Sequence, residues 1–123
     1  MTRRTDRINE QLRAEIARIL RDEATDPRIG LVVVTRVDVS PDLRNARVFW
    51  SRLDAEPLPD DDRPPEADPE MQQGLDSAAG FVRRRLAHAL PLKRVPEVHF
   101  QYDPSIAVGS RTLARIRDLS DGS

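Results

Sequence analysis

The sequence predicts an α+β fold, in which helices cover one face of a three-stranded sheet. Three observations lead to this class. An amphipathic helical period opens the chain, two β-branched runs separated by a short turn follow it, and a second helical period precedes one more alternating run. The third strand joins the same sheet only if the helical segment before it crosses over the sheet.

The first helix is predicted over residues 3–25, because apolar residues recur at steps of three and four. Its inward face consists of Ile8, Leu12, Ile16, Ile19 and Leu20. On a helical wheel of about 100° per residue, four arginines fall within roughly 60° of one another on the opposite side. This arginine stripe consists of Arg3, Arg7, Arg18 and Arg21. Glu15 and Asp22 lie beside the stripe and are expected to neutralise part of its charge.

Two strands are predicted after the segment DPRIG. Residues 31–40 are dense in β-branched side chains and alternate at their end, and residues 46–53 form the second strand-like run. Pro41 and Asp42 favour a turn between the two runs, so we expect an antiparallel hairpin.

A second helix is predicted to begin at Asp68, with Pro69 in its first turn, and to end before Pro91. Gly74 and Gly80 each weaken it by about 1 kcal/mol relative to alanine. One long helix with two weak points, or two helices that meet at residues 78–80, are both consistent with the pattern. The alternating run 98–102 then predicts the third strand, and residues 105–119 predict a final short helix.

Charge is distributed unevenly along the chain. Residues 54–70 contain eight acidic residues and one arginine, a net charge of −7, whereas the whole chain carries −1. The rest of the chain therefore carries +6, which is typical either of a surface that binds polyanions or of arginines that only solvate the exterior. Residues 54–69 also hold five of the ten prolines. We interpret them as an exposed acidic loop inserted in a single domain of residues 1–123, with a short tail at 120–123.

The residue types argue against catalysis. The chain has no cysteine, which excludes disulfides and thiolate sites. His88 and His99 lack the spacing of a zinc motif, and the five glycines do not form a phosphate loop. We therefore expect no enzyme activity, no cofactor and no metal. Because no apolar run approaches the length of a membrane span, we expect a cytoplasmic protein.

Several sequence blocks, in the same order, resemble the ribosome-binding factor A family over nearly the whole chain. The most specific blocks are DPR at residues 26–28, VSPDL at 39–43 and RVPE at 94–97, with Phe100, Asp103 and Ser105 downstream. The resemblance implies a type II KH-like two-layer sandwich, in which a kink of the form Ala-x-Gly replaces the GXXG loop that clamps RNA in KH domains. The acidic loop departs from the family, where this connection is usually shorter.

The resemblance also implies a function. Members of the family are cold-shock and ribosome biogenesis factors that bind the free 30S subunit and its 16S rRNA during late maturation. The RNA-binding candidates are the kink residues Ala78, Ala79 and Gly80, followed by Arg83, Arg84, Arg85, Lys93 and Arg94. The arginine stripe is added to them from its periodicity. We expect a monomer that assists rRNA processing by neutralising phosphates.

Two alternatives remain open at this point. One is a generic KH-type module for single-stranded nucleic acid, which the scarcity of aromatic residues disfavours. Trp50 is the one candidate for base stacking. For this residue, however, a position in the core or the sheet is the favoured interpretation. The other alternative is a protein-interaction scaffold that acts through the acidic loop.

Overall fold

The computed structural model describes residues 3–53 and 67–104, with side chains from residue 6 onward. The elements are α1 (Arg3–Asp22), a 3-10 turn (Pro27–Ile29), β1 (Val32–Val39), β2 (Asn45–Arg52), α2 (Pro69–Ala89) and β3 (Glu97–Tyr102). Together they confirm the α+β class. The predicted final helix, the tail and residues 54–66 of the acidic loop lie outside the described residues.

The sheet has the strand order β1-β2-β3. β1 and β2 pair antiparallel as a hairpin, and β3 pairs parallel with β2. Two parallel strands begin at the same end of the sheet, so the chain must return to that end between them. The segment that contains α2 provides this crossover. The register places Val37, Val48 and Phe100 in one row, and Asp38, Arg47 and His99 in the next. Since side chains alternate along a strand, the first row faces the helices and the second faces solvent.

The core lies between the sheet and the two helices. α1 contributes Leu12, Ile16 and Ile19, which are fully buried, as the helical period predicts. α2 contributes a second buried stripe of Met71, Leu75, Val82 and Leu86. These side chains pack with the inward residues of all three strands in one cluster. The burial of apolar surface is the main force that holds the layers together, and it contributes about 25 cal/mol for each Å² buried.

α2 is one continuous helix. Asp68 caps its first turn by accepting hydrogen bonds from the backbone N–H groups of Glu70 and Met71, and Leu90 caps its end. Of the two alternatives, one long helix is therefore confirmed, and two separate helices that meet at residues 78–80 are wrong. The physical reason is that buried residues lie on one face of the helix before and after this point, so packing offsets the cost of about 1 kcal/mol for each glycine.

Gly74, rather than Gly80, is the glycine at which two elements approach closely. A Cβ atom added at Gly74 would lie 3.0 Å from Ile29 Cγ2 and 3.2 Å from Arg28 Cβ. The 3-10 turn therefore packs directly on the backbone of α2. Arg28 is held there by Asp26, whose carboxylate accepts hydrogen bonds from the Arg28 backbone N–H at 2.9 Å and from its Nε at 3.0 Å.

Candidate nucleic-acid interface

The three consecutive arginines of α2 point in different directions, because neighbouring helical residues are about 100° apart. Arg83 donates hydrogen bonds from Nε and Nη2 to the Val95 carbonyl, at 3.4 and 3.3 Å. Arg85 turns to the opposite side and forms an ion pair with Glu23 at 3.3 Å. Arg84 is exposed between them. Only Arg83 therefore reaches the segment that connects α2 to β3.

A shallow depression at the hairpin end of the sheet is lined by three arginines. Arg44 comes from the turn between β1 and β2, Arg83 from α2, and Arg94 from the segment that precedes β3. We call these three residues the hairpin cluster. The remaining lining residues are Asn45, Val95 and Glu97. The elements meet because the parallel pairing of β2 with β3 places Asn45 opposite Glu97.

The hairpin turn holds the backbone of Arg44 in a defined position. Leu43 adopts a left-handed conformation with φ of 61°, which reverses the chain before Arg44. The Arg44 N–H donates to Asp42 Oδ1 at 3.1 Å, and its carbonyl accepts from the Glu97 N–H at 2.8 Å. Hydrogen bonds from the Ser40 hydroxyl and from the Arg44 N–H lower the pKa of Asp42, so this carboxylate stays ionised at neutral pH.

The residues of the predicted kink do not form a helix end. Ala78 and Ala79 are partly buried and pack against the core, whereas Gly80 is exposed. Because α2 continues through them, their N–H groups are used within the helix and do not form the outward anion site that a second helix start would provide. A Cβ atom at Gly80 would meet only Arg84 Nη1, at 3.7 Å. Their role as RNA contacts remains a proposal that rests on the family pattern.

Two of the four arginines in the stripe on α1 are paired with neighbouring carboxylates. Arg18 donates from Nε to Glu15 at 2.9 Å and from Nη2 to Glu23 at 3.1 Å. Arg21 pairs with Asp22 at 3.0 Å, and this hydrogen bond lowers the pKa of the Asp22 carboxyl. Arg7 is exposed, and the Arg3 side chain lies outside the described residues. The stripe therefore contributes less net charge than its arginine count suggests.

Trp50 is not available for base stacking. Its side chain is fully buried on the helix side of the sheet, and its Nε1–H donates to Gln72 Oε1 at 2.9 Å. The indole also meets the Tyr102 ring edge-to-face, with centroids 5.2 Å apart. The expectation that Trp50 occupies the core or sheet is confirmed, and the stacking alternative is wrong.

The described residues show no arrangement suited to catalysis by a metal. No group of three or more histidine or acidic residues within residues 3–53 and 67–104 could hold a metal ion. His88 and His99 are both exposed, on α2 and on the solvent face of β3. His99 Nε2 lies 3.0 Å from Asn45 Oδ1, so the ring connects β3 to the first residue of β2. Within the same part of the chain, no helix is long and apolar enough to span a membrane.

Comparison with known families matches residues 4–116 to the model of ribosome-binding factor A. This range covers far more than half of the chain, from the start of α1 to beyond β3. The chain belongs to the ribosome-binding factor A family.

Curated members of the ribosome-binding factor A family are similar to the chain over most of its length. The ribosome-binding factor A of Azoarcus sp. is 41% identical over 115 residues, which cover 94% of this chain and 83% of the relative. That of Marinomonas sp. is 43% identical over 113 residues, which cover 92% and 83%. The similarity therefore extends through both helices and all three strands.

Solved structures of the ribosome-binding factor A family share the fold. The crystal structure of ribosome-binding factor A from Thermus thermophilus matches with a TM-score of 0.64 and 19% identity, and covers 80% of this chain and 94% of that one. A homology model of the Thermus thermophilus protein, fitted into a cryo-EM map of its complex with the 30S subunit, matches with a TM-score of 0.59 and 20% identity over 78% and 91%. At these identities the likeness describes the fold alone.

One residue of the hairpin cluster, Arg44, was not among the candidates predicted from the sequence. Arg83 and Arg94 were predicted and do lie together, but Arg44 joins them from the hairpin turn. Lys93 and Arg84 are exposed nearby, although neither lines the depression. The sequence signal for Arg44 was weak: it is a basic residue in a turn, and only the parallel register of β3 brings it to the other two.

Proposed function

We propose that this chain binds the free 30S ribosomal subunit and assists the late processing of its 16S rRNA. Two findings support the proposal: the chain belongs to the ribosome-binding factor A family, and the Thermus thermophilus relative was fitted into a map of a 30S complex. The observation that carries it is the hairpin cluster. Its three arginines converge on one depression whose lining includes a single acidic residue, Glu97.

Neutralisation of phosphates is the proposed mechanism. Each phosphate contact releases condensed counterions, so affinity for the 30S subunit should fall steeply as salt concentration rises. Base-specific recognition is not expected, because the single tryptophan is buried in the core. The proposed contacts are the hairpin cluster together with Arg84 and Lys93. Arg85 and the arginine stripe contribute less, because carboxylates already pair with Arg18, Arg21 and Arg85.

The rest of the proposal follows the family. The chain acts as one KH-like domain and as a monomer in the cytoplasm, with the cold-shock role of the family, and it has no enzyme activity. Residues 78–80 lie within the continuous helix α2, shortly before the three arginines.

Co-sedimentation with ribosomal particles tests the proposal. The purified chain is mixed with 30S, 50S or 70S particles at two salt concentrations, and the pelleted fraction is measured. Selective pelleting with free 30S, which weakens at the higher salt concentration, is the expected result. Equal pelleting with 50S particles, or binding to 30S that does not depend on salt, would contradict it.

The two alternatives make different predictions. A generic module for single-stranded nucleic acid should bind naked single strands as tightly as intact 30S particles. A scaffold that acts through its acidic loop should lose binding when residues 54–66 are deleted. Under the proposed function, the deletion leaves 30S binding intact or strengthens it, because it removes negative charge from the chain.

A further inference from the structure

We propose that the hairpin cluster is the principal phosphate anchor of the RNA interface, with Arg44 as an RNA contact equal in weight to Arg83. This inference deepens the proposed function and rests on it. The ligand is a phosphodiester group of folded RNA, held in the depression that Arg44, Arg83 and Arg94 line. The anchor therefore lies at the hairpin end of the sheet, beyond the small residues at 78–80.

The local charge favours an anion at this point. Glu97 is the one acidic residue among those that line the depression, against three arginines. Its carboxylate Oε2 lies 3.9 Å from His99 Nε2, toward the solvent face of the sheet. Arg85, by contrast, pairs with Glu23. The three arginines of the hairpin cluster therefore outnumber the acidic residue beside them, and their charge favours an anionic ligand.

The depression is also organised before a ligand arrives. The Arg44 backbone is fixed on both sides, by the Asp42 carboxylate and by the Glu97 N–H. Arg83 is held by the Val95 carbonyl through Nε and Nη2, which leaves Nη1 and the second Nη2 proton for an acceptor. Because the restrained Arg83 guanidinium and Arg44 backbone lose less freedom on binding, the site binds more tightly than it would without these contacts.

The geometry favours a phosphate over an acidic protein surface. Guanidinium groups donate from a planar fork that matches the oxygens of a phosphate, and three of them from separate elements can surround one anion. The lining contains a single apolar side chain, Val95, and no aromatic residue. A protein partner would bury apolar and aromatic anchors at the centre of its interface, and this depression offers none.

Substitution of Arg44 tests the inference. The affinities of the full chain for 30S particles and for naked 16S rRNA are measured across a range of salt concentrations, for wild type, Arg44→Ala, Arg44→Lys and the control Arg13→Ala. Arg13 is a half-buried arginine on α1 that pairs with Glu10, and its removal changes the net charge by the same amount. The expected result for Arg44→Ala is an affinity about tenfold lower on both probes, with a salt slope reduced by about one.

The controls decide between a specific contact and a general effect of charge. Arg44→Lys should recover most of the salt slope, because it restores the charge, and Arg13→Ala should stay within about twofold of wild type. The inference is wrong if Arg44→Ala and Arg13→Ala have the same affinity. It is also wrong if Arg44→Ala weakens binding to 30S particles but not to naked rRNA, since the residue would then contact a ribosomal protein.

A double variant separates this inference from the proposed function. If Arg44 and Arg83 hold one phosphate, the loss in Arg44→Ala/Arg83→Ala should be smaller than the product of the two single losses. Independent, multiplicative losses would refute a shared site while leaving 30S binding in place. Failure of the wild-type chain to bind 30S at all would instead overturn the proposed function.

Discussion

The side chain of Gln72, on α2, connects the helix layer to the sheet through hydrogen bonds. Its Oε1 accepts the buried Nε1–H of Trp50 at 2.9 Å, and its Nε2 donates to the Phe100 carbonyl at 2.9 Å and to Asp76 Oδ1 at 2.9 Å. One side chain on α2 thus satisfies groups on β2 and β3. Replacement by alanine would leave the indole N–H without its partner in a fully buried position.

The expected cost of Gln72→Ala follows from these contacts. An unsatisfied buried donor costs about 1–3 kcal/mol, and loss of the bond to the edge-strand carbonyl adds about 0.5–1 kcal/mol. The better helix propensity of alanine returns only a few tenths. A net loss of about 2 kcal/mol is a large part of the roughly 5–15 kcal/mol that holds a domain folded. For a chain of this size it corresponds to a decrease in Tm of about 8 °C.

Urea denaturation, followed by the fluorescence of the single tryptophan, measures this cost directly. The matched control is Gln73→Ala, because Gln73 is the same residue type at the next position and is exposed. Gln72→Ala should lower the denaturation midpoint without changing the slope, and Gln73→Ala should leave it in place. If the two variants differ by less than about 0.5 kcal/mol, the Gln72 contacts do not stabilise the fold as argued.

Three further predictions concern α2, the 3-10 turn and the basic surface. Gly80→Ala should raise the free energy of unfolding by up to about 1 kcal/mol, because alanine favours the helix and its Cβ meets only a flexible guanidinium. The Arg28 hydrogen bonds lower the pKa of Asp26, so its contribution to stability is full above the unfolded pKa of about 4 and is lost as pH falls through the lower folded value. The stability difference between wild type and Asp26→Asn, measured by urea denaturation from pH 7 to pH 2, should therefore shrink below about pH 4. Arg85→Ala should weaken co-sedimentation with 30S less than Arg83→Ala, because Arg85 is already paired with a carboxylate.

Each of these predictions has a result that contradicts it. A Gly80→Ala variant that is less stable than wild type would mean that the backbone at this position is strained, contrary to the continuous helix. A stability difference for Asp26→Asn that is constant with pH would mean that the carboxylate has the same pKa in both states. Equal losses of 30S binding for Arg83→Ala and Arg85→Ala would mean that the Glu23 ion pair opens on binding.

Most of the secondary structure could be predicted because it depends on local patterns. The apolar period of α1, the β-branched runs of the hairpin, and the cap at Asp68 each identify an element within a few residues of its observed bounds. α1 ends at Asp22, a little before the predicted residue 25. The number of helices between β2 and β3 was left open, since propensity alone cannot say whether packing will offset two glycines.

The candidate surface was predictable only in part. Arg83 and Arg94 could be chosen because they are close in the chain and follow a family pattern. The pairing of Arg85 with Glu23 could not be foreseen, because it depends on how α1 and α2 approach each other. The importance of Gly74 was hidden for the same reason, since the residue it contacts, Ile29, belongs to another element.

Sequence by itself therefore determined the α+β class, the order of the elements, the buried faces and the family. These properties follow from periodicity and from blocks of neighbouring residues, which each segment carries locally. Tertiary structure alone decided which charges remain available. The parallel pairing of β3 with β2 brings Arg44 beside Arg83 and Arg94, whereas the packing of α1 against α2 pairs Arg85 with Glu23. The energy between two charges depends on the distance between them, and for residues far apart in the sequence this distance is set only when the layers pack.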